Sequence, residues 1–173
     1  MSRALLHPVN YFVKRACDLG AKEAKIISPK KVFTAEWVRR KCQYGCDGYG
    51  LHLTCPPYSP TPLETRRMLD EYETAVLIHS PLRWMDITSI VCTLEREAFL
   101  SGYYKAFGLG SGPCELCEIC NVKKVCKHVE EARPSIEACG IDVFRTARTA
   151  GYPINVVRNH SCAQNYYGLL LLK

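Results

Sequence analysis

Four cysteines fall within thirteen residues of this 173-residue chain, at Cys114, Cys117, Cys120 and Cys126. Thiols at this density serve as a disulfide framework, a zinc site or an iron–sulfur cluster site. The Cys-x2-Cys-x2-Cys spacing favours the cluster, because successive thiolates can reach different irons of a cubane and bacterial ferredoxins open with the same run. A single zinc ion usually draws on two cysteine pairs separated by a longer loop. We therefore expect residues 110–128 to bind a [4Fe–4S] cluster, with zinc as the alternative.

A second set of thiols, Cys42, Cys46 and Cys55, lies in a segment rich in glycine and proline. Three glycines and a Pro-Pro pair in that segment argue against regular structure, so the sequence predicts a second metal-binding loop over about 42–58. We call these three thiols the N-terminal cysteine group and the four at 114–126 the C-terminal cysteine group. Three thiols leave a cubane one ligand short. The candidates for the fourth ligand are Cys92, Cys162, His52 and an external or partner-supplied group.

The eleven cysteines bear on the cellular compartment. Residues 1–8 contain neither an apolar region long enough for an export signal nor a small-residue cleavage site. No segment approaches the roughly 18 uncharged apolar residues of a membrane span. We therefore expect a cytoplasmic protein without a membrane segment, in which reducing conditions keep the thiols free for metals or catalysis.

The formal net charge of +6 would suit a nucleic-acid ligand, but metal binding would change it. A four-thiolate [4Fe–4S] unit carries about −2, so two such units would leave roughly +2. Basic residues also lie next to the thiols in sequence, as Arg39, Arg40 and Lys41 precede Cys42. Compensation of cluster charge explains these cations, so we expect a redox partner protein rather than nucleic acid. The sequence leaves the oligomeric state undetermined.

Hydrophobic patterns predict strands that alternate with helices. The predicted strands are 24–29, 74–79, 105–110, 154–157 and 166–172. The predicted helices begin at an Asn10 cap, at a Thr61–Glu64 capping box, at about 86 and at about 141. Cys17 is expected to be a buried structural thiol on the first of them. The fold class is therefore mixed α/β, a mixed β-sheet flanked by helices in one domain over 1–173, with both cysteine-rich loops at one end.

Three motifs together resemble a known family. They are Cys-x3-Cys…Cys-Pro-Pro-Tyr at 42–58, the segment 101–107 that leads into Cys-x2-Cys-x2-Cys-x5-Cys at 114–126, and the segments 132–137 and 140–144. This combination is similar to the prokaryotic "predicted metal-binding" family, domain of unknown function 2284, over nearly the whole chain. The resemblance implies metal binding without a settled activity. The seven cysteines of the two groups match the motif cysteines of that family.

Three functions are compatible with these features. The first is an iron–sulfur protein with two [4Fe–4S] clusters that acts as an electron-transfer or redox adaptor for a partner enzyme. The second is an enzyme whose three-cysteine cluster has an open iron that binds substrate. The third is a zinc-binding structural module. The sequence contains no Gly-rich phosphate loop and no His-Glu-x-x-His motif, so it does not indicate catalytic residues.

Overall fold

A four-stranded sheet in the order β1-β2-β4-β3 forms the centre of the fold. The computed structural model describes residues 6–81, 83–152, 154–159 and 161–173, so most of the segment 1–8, for which the sequence predicts no export signal, lies outside the described residues. The strands are Glu23–Ile27 (β1), Thr74–Ser80 (β2), Phe107–Leu109 (β3) and Tyr166–Leu172 (β4). The helices are Val9–Asp18 (α1), Glu36–Gly45 (α2), Pro62–Leu69 (α3), Trp84–Leu100 (α4) and Val143–Thr149 (α5).

The mixed α/β class is confirmed, but the sheet differs from the mixed sheet that we expected. Its three ladders are all antiparallel. The strands β2 and β3 do run in the same direction, as the intervening helix α4 suggested. However, β4 inserts between them and opposes both, with Leu169 paired to Leu77 on one side and to Leu109 on the other. Because β4 lies between them, β2 and β3 do not pair with each other.

Helices cover the sheet on both faces, which explains why β2 is an almost uninterrupted apolar run. Because side chains alternate along a strand, Leu77 enters one hydrophobic core while Ile78 enters the other. One core includes Leu69 of α3 and Ala147 of α5, and the second is formed with α1 and α4. The helix predicted to begin at about 86 is α4, and its apolar residues at helical spacing are all buried: Ile87, Ile90, Val91, Leu94 and Ala98.

The helix α4 approaches the sheet closely at two glycines. A methyl group on Gly168 of β4 would lie 2.7 Å from both Ile87 and Val91, and one on Gly108 of β3 would lie 2.3 Å from Val91. Real side-chain contacts are not this short, so α4 can pack this close to the sheet only because these two positions are glycine. This close packing fixes α4 beside the segment that carries the C-terminal cysteine group.

Two predicted helix starts had different outcomes. The capping box of α3 is confirmed, because the Glu64 backbone N–H donates to the Thr61 hydroxyl and the Glu64 carboxylate accepts from the Thr61 N–H at 2.7 Å. The Asn10 cap is wrong, since α1 already begins at Val9, after Pro8. Cys17 is exposed rather than buried, because the core-facing positions of α1 are Phe12 and Ala16.

Two further expectations were wrong. Residues 154–157 are not a strand, and Val156 is 70% exposed. Because β4 already has β2 and β3 on its two sides, it has no free edge for another partner. The helix α2 was not expected, and its residues up to Gly45 include part of the predicted loop 42–58. None of the helices that the structure describes is long and apolar enough to cross a membrane.

Candidate metal centre

The N-terminal cysteine group begins on a helix rather than on a loop. Cys42 lies in the last turn of α2, Cys46 is the residue that caps the helix, and Cys55 follows in a turn-rich segment. Cys42 and Cys55 are partly buried, whereas Cys46 is exposed. Burial raises the pKa of the Cys55 thiol to about 11, and the nearby thiols Cys46 and Cys42 add to the rise. The fold therefore brings these three thiols into electrostatic range of one another.

The segment after Cys55 is held by Arg39 of α2. Its guanidinium donates to the carbonyl oxygens of Pro57, at 3.0 Å, and Pro60, at 2.9 Å. It also reaches the Ser59 carbonyl at 3.2 Å. An arginine from the preceding helix therefore positions this segment through contacts that do not involve a metal.

Replacing Arg39 with methionine should loosen this segment, because several carbonyl oxygens lose a charged donor. We expect the free energy of unfolding to fall by about 2 kcal/mol. Chemical denaturation measures this change, and limited proteolysis should show faster cleavage within 46–60. The matched control is Arg40→Met, because Arg40 is exposed and bonds only Gln43 among the described residues. Equal effects of the two substitutions would show that Arg39 does not hold the segment.

The C-terminal cysteine group lies on a long segment whose two ends are joined at the sheet. The Gly110 N–H donates to the Pro134 carbonyl at 2.8 Å, and the Ile136 N–H donates to the Gly110 carbonyl at 3.0 Å. All four thiols of the group are partly buried. Burial raises the pKa of Cys114, and the other three thiols raise it further. Each of the other three thiols is therefore close enough to Cys114 to interact with it electrostatically.

An ion pair anchors the end of this segment to α4. Arg133 donates to both carboxylate oxygens of Glu95 at 2.7 Å, and both side chains are largely buried. The same carboxylate accepts from the Gly108 N–H at 2.8 Å, so it joins the segment to β3 as well as to α4. A buried carboxylate needs such a full set of donors, and here they fix the base of the cysteine-bearing segment.

The two cysteine groups are neighbours. Cys114 is among the thiols that raise the pKa of Cys55, so the two groups are close enough to interact electrostatically. Their segments also border a common cleft of about 260 Å³, lined by Leu53, Thr54 and Tyr58 on one side and by Cys126 and Val129 on the other. Residues that are some 60 positions apart in sequence therefore meet at one site.

The thiols are close but do not already surround a single ion. Within residues 6–81, 83–152, 154–159 and 161–173, no three His, Cys, Asp or Glu side chains are placed so that they could hold one metal ion. The donors that the fold brings together are free thiols. Their chemistry suits zinc or iron–sulfur clusters, both of which bind thiolates.

The candidates for the fourth ligand occupy different places. Cys92 lies near the C-terminal group, because it lines one cavity together with Cys114, and burial raises the pKa of its thiol to about 11. His52 lies near Cys46, since a methyl group on Gly48 would be 3.7 Å from the His52 ring and 3.6 Å from the Cys46 sulfur. Cys162 is hydrogen-bonded within its own turn, and backbone hydrogen bonds lower its pKa.

One residue of this region was missed by the sequence analysis. Glu137 is among the groups that raise the pKa of Cys42, and burial raises the pKa of Glu137 itself. Its Oε2 atom is inaccessible to solvent and has no hydrogen-bond partner among the described residues. In the sequence, Glu137 is a single acidic residue between apolar neighbours, and only the fold reveals that it lies near a cysteine group.

Free thiols from two neighbouring segments on an α/β scaffold are the features of a thiol-rich metal-binding protein. A family model described as "Predicted metal-binding protein (DUF2284)" matches residues 25–172, and the chain belongs to this family. The family match confirms the resemblance noted from the motifs. No curated protein and no solved structure matches the chain.

Proposed function

We propose that this protein binds iron–sulfur clusters, two [4Fe–4S] units, and acts as an electron-transfer adaptor for a partner enzyme. The C-terminal cysteine group is the observation that carries the proposal. It combines the Cys-x2-Cys-x2-Cys spacing with four partly buried thiols in electrostatic range, on a segment that is tied at its base. When bound, such a cluster accepts and donates single electrons.

The chain's own residues fit this cofactor. The seven thiols supply soft anionic ligands, which select iron–sulfur clusters or zinc over harder ions. Two glycines before Cys114 allow the backbone to approach closely, and backbone amides near a cluster can donate to its sulfurs. Cys55 and Cys114 bring the two groups into range of each other, which suits electron transfer between two centres. The reducing cytoplasm that we propose for this protein would keep all seven thiols available.

The surface of the C-terminal segment supports a protein partner. Ile119 is 86% exposed and Val125 is 85% exposed, and both are next to motif cysteines. The neighbouring lysines Lys123, Lys124 and Lys127 are also exposed. Exposed glutamates, Glu115 and Glu118, lie on the same segment, so exposed apolar side chains stand among charges of both signs, as at the surface of a protein–protein interface. We therefore propose a redox protein as the partner, rather than nucleic acid.

A second candidate function is an enzyme in which the N-terminal cysteine group leaves one iron open to substrate. The observation that favours it is a cavity of about 850 Å³ that is bordered by Cys42 and Cys46. An open coordination position beside a cavity would allow the metal to act as a Lewis acid. In this function the fourth ligand is external, and none of Cys92, Cys162 or His52 is essential for the cluster.

Metal analysis of anaerobically purified protein tests the proposed function. We expect about eight iron atoms and eight acid-labile sulfides per chain, with little zinc, because each [4Fe–4S] unit contributes four of each. A redox titration should then show reversible one-electron reduction. Stoichiometric zinc without acid-labile sulfide would contradict the iron–sulfur proposal and favour the zinc-binding structural module.

A further inference from the structure

The cavity beside Cys42 and Cys46 is large enough to hold a small molecule. It lies between α2, α5 and residues 154–157, and its volume of about 850 Å³ falls within the range of known ligand sites. Its apolar lining includes Val38, Ile141 and Ile154, each of which is at least nine-tenths buried. The cavity therefore has a preformed apolar wall suited to an apolar group.

Glu137 supplies a polar group inside this apolar wall. It lines the cavity, and its Oε2 atom is inaccessible to solvent and lacks a hydrogen-bond partner among the described residues. Buried polar atoms are normally paired, and an unpaired one in a native fold requires an explanation. A ligand that places an N–H or O–H group against Oε2 would satisfy it.

Three cations line the same cavity. Lys41, Arg145 and Arg148 are all exposed to solvent. Asp142 also lines the cavity, but its carboxylate already accepts the Arg145 backbone N–H as the cap of α5. With Glu137 the lining has two acidic side chains against three basic ones, so the surplus is one positive charge, which favours a ligand with an anionic group.

Apolar side chains at the cavity are left in contact with water. Trp37 is 47% exposed and Val156 is 70% exposed, and both line the cavity. The Lys41 ammonium lies 5.4 Å from the centre of the Trp37 ring, so one cation is next to the aromatic surface. A flat aromatic group could stack on Trp37 while its acidic group meets Lys41.

We propose that this cavity binds a small aromatic carboxylate that also carries a hydrogen-bond donor. The ring packs against Trp37 and the apolar wall. The donor hydrogen-bonds to Glu137, and the carboxylate pairs with the cations of the lining, Lys41 first among them. This inference goes beyond the iron–sulfur proposal and does not depend on which metal the thiols bind. A molecule held here lies beside Cys42 and Cys46, which makes the cavity the candidate substrate site of the enzyme function.

Three related probes test the proposal by isothermal titration calorimetry. Indole-3-acetate has the ring, the N–H donor and the carboxylate, naphthalene-1-acetate lacks the donor, and tryptamine replaces the carboxylate with a cation. We expect indole-3-acetate to bind about tenfold more tightly than either of the others, as one lost hydrogen bond or charge contact would produce. No saturable binding, or equal affinity for all three probes, would overturn the proposal.

Variants locate the binding. Lys41→Ala should lower the affinity for indole-3-acetate about fivefold. The control Lys30→Ala, at an exposed lysine outside the cavity, should leave this affinity unchanged. Glu137→Leu should abolish the preference for indole-3-acetate over naphthalene-1-acetate. That ratio is measured within one protein, so it does not depend on the overall stability of the variant. A preserved ratio, or equal effects of the two lysine substitutions, would contradict the assignment.

The metal content of each sample separates this proposal from the iron–sulfur one. Probe binding with zinc in place of iron would overturn the iron–sulfur function and leave the cavity assignment standing. A full complement of iron and sulfide without selective probe binding would overturn the cavity assignment and leave the iron–sulfur function standing.

Discussion

We expect the Cys120→Ser variant, purified anaerobically, to contain about half the iron and acid-labile sulfide of the unsubstituted protein. The serine oxygen is a harder ligand than a thiolate and holds a cluster iron poorly. Because Cys114, Cys117, Cys120 and Cys126 form one group in electrostatic range, Ser substitution at any of them should remove or alter the same cluster signal. The signal of the N-terminal cysteine group should persist. Iron analysis and electron paramagnetic resonance of the reduced protein measure both.

Cys17→Ser is the matched control for these variants, because Cys17 is an exposed thiol on α1 outside both cysteine groups. It should leave the iron content and both signals unchanged. Loss of the N-terminal signal with retention of the C-terminal one in Cys126→Ser would show that Cys126 serves the other site, in contradiction to a self-contained C-terminal group. Unchanged iron in all four variants would contradict the ligand assignment entirely.

Gly140→Ala should cause the largest loss of stability among single-methyl changes near the site. Gly140 has a φ of +75°, which is costly for any residue with a side chain, and its added methyl group would lie 2.4 Å from the Pro62 ring of α3. Left-handed backbone costs about 1–2 kcal/mol and overpacking about 1–3 kcal/mol, so we expect a loss of about 3 kcal/mol. For a chain of this size, the midpoint of thermal unfolding should fall by about 10 °C.

Gly45→Ala is the control for Gly140. Gly45 ends α2, its φ is not in the left-handed region, and an added methyl group would meet nothing within 4 Å. Alanine also loses less conformational freedom than glycine when it becomes helical, so the control should be neutral or stabilising by about 0.5 kcal/mol. If Gly140→Ala were as stable as this control, the close contact between residue 140 and α3 would not constrain the fold.

Several elements could be predicted from the sequence because their signals are local. The Thr61–Glu64 capping box joins residues three apart, and the stripe of α4 repeats at the helical period. The apolar runs of β2 and β4 indicated buried strands for the same reason. The Cys-x2-Cys-x2-Cys spacing belongs in this class, since it limits which metal centres the segment could bind without reference to the rest of the chain.

The helix α2 shows where local reasoning failed. Glycines at 45, 48 and 50 and the Pro-Pro pair indicate irregular structure, and the predicted loop therefore included Cys42. The helix in fact continues to Gly45, with Val38 buried and Arg39 bonded to the segment after Cys55. These stabilising contacts come from residues distant in sequence, which a propensity argument does not include.

The sequence by itself determined the helices α1, α3, α4 and α5, the strands with strong periodicity and the two sets of thiols. Only the tertiary structure decided that β4 inserts between β2 and β3, that Cys55 and Cys114 come into range, and that Glu137 lies near Cys42 at an apolar cavity. The physical reason is that hydrophobic periodicity indicates which face of an element is buried but not which element buries it. Strand partners and side-chain neighbours are chosen by the packing of the whole chain, and the site of this protein is formed at those long-range contacts.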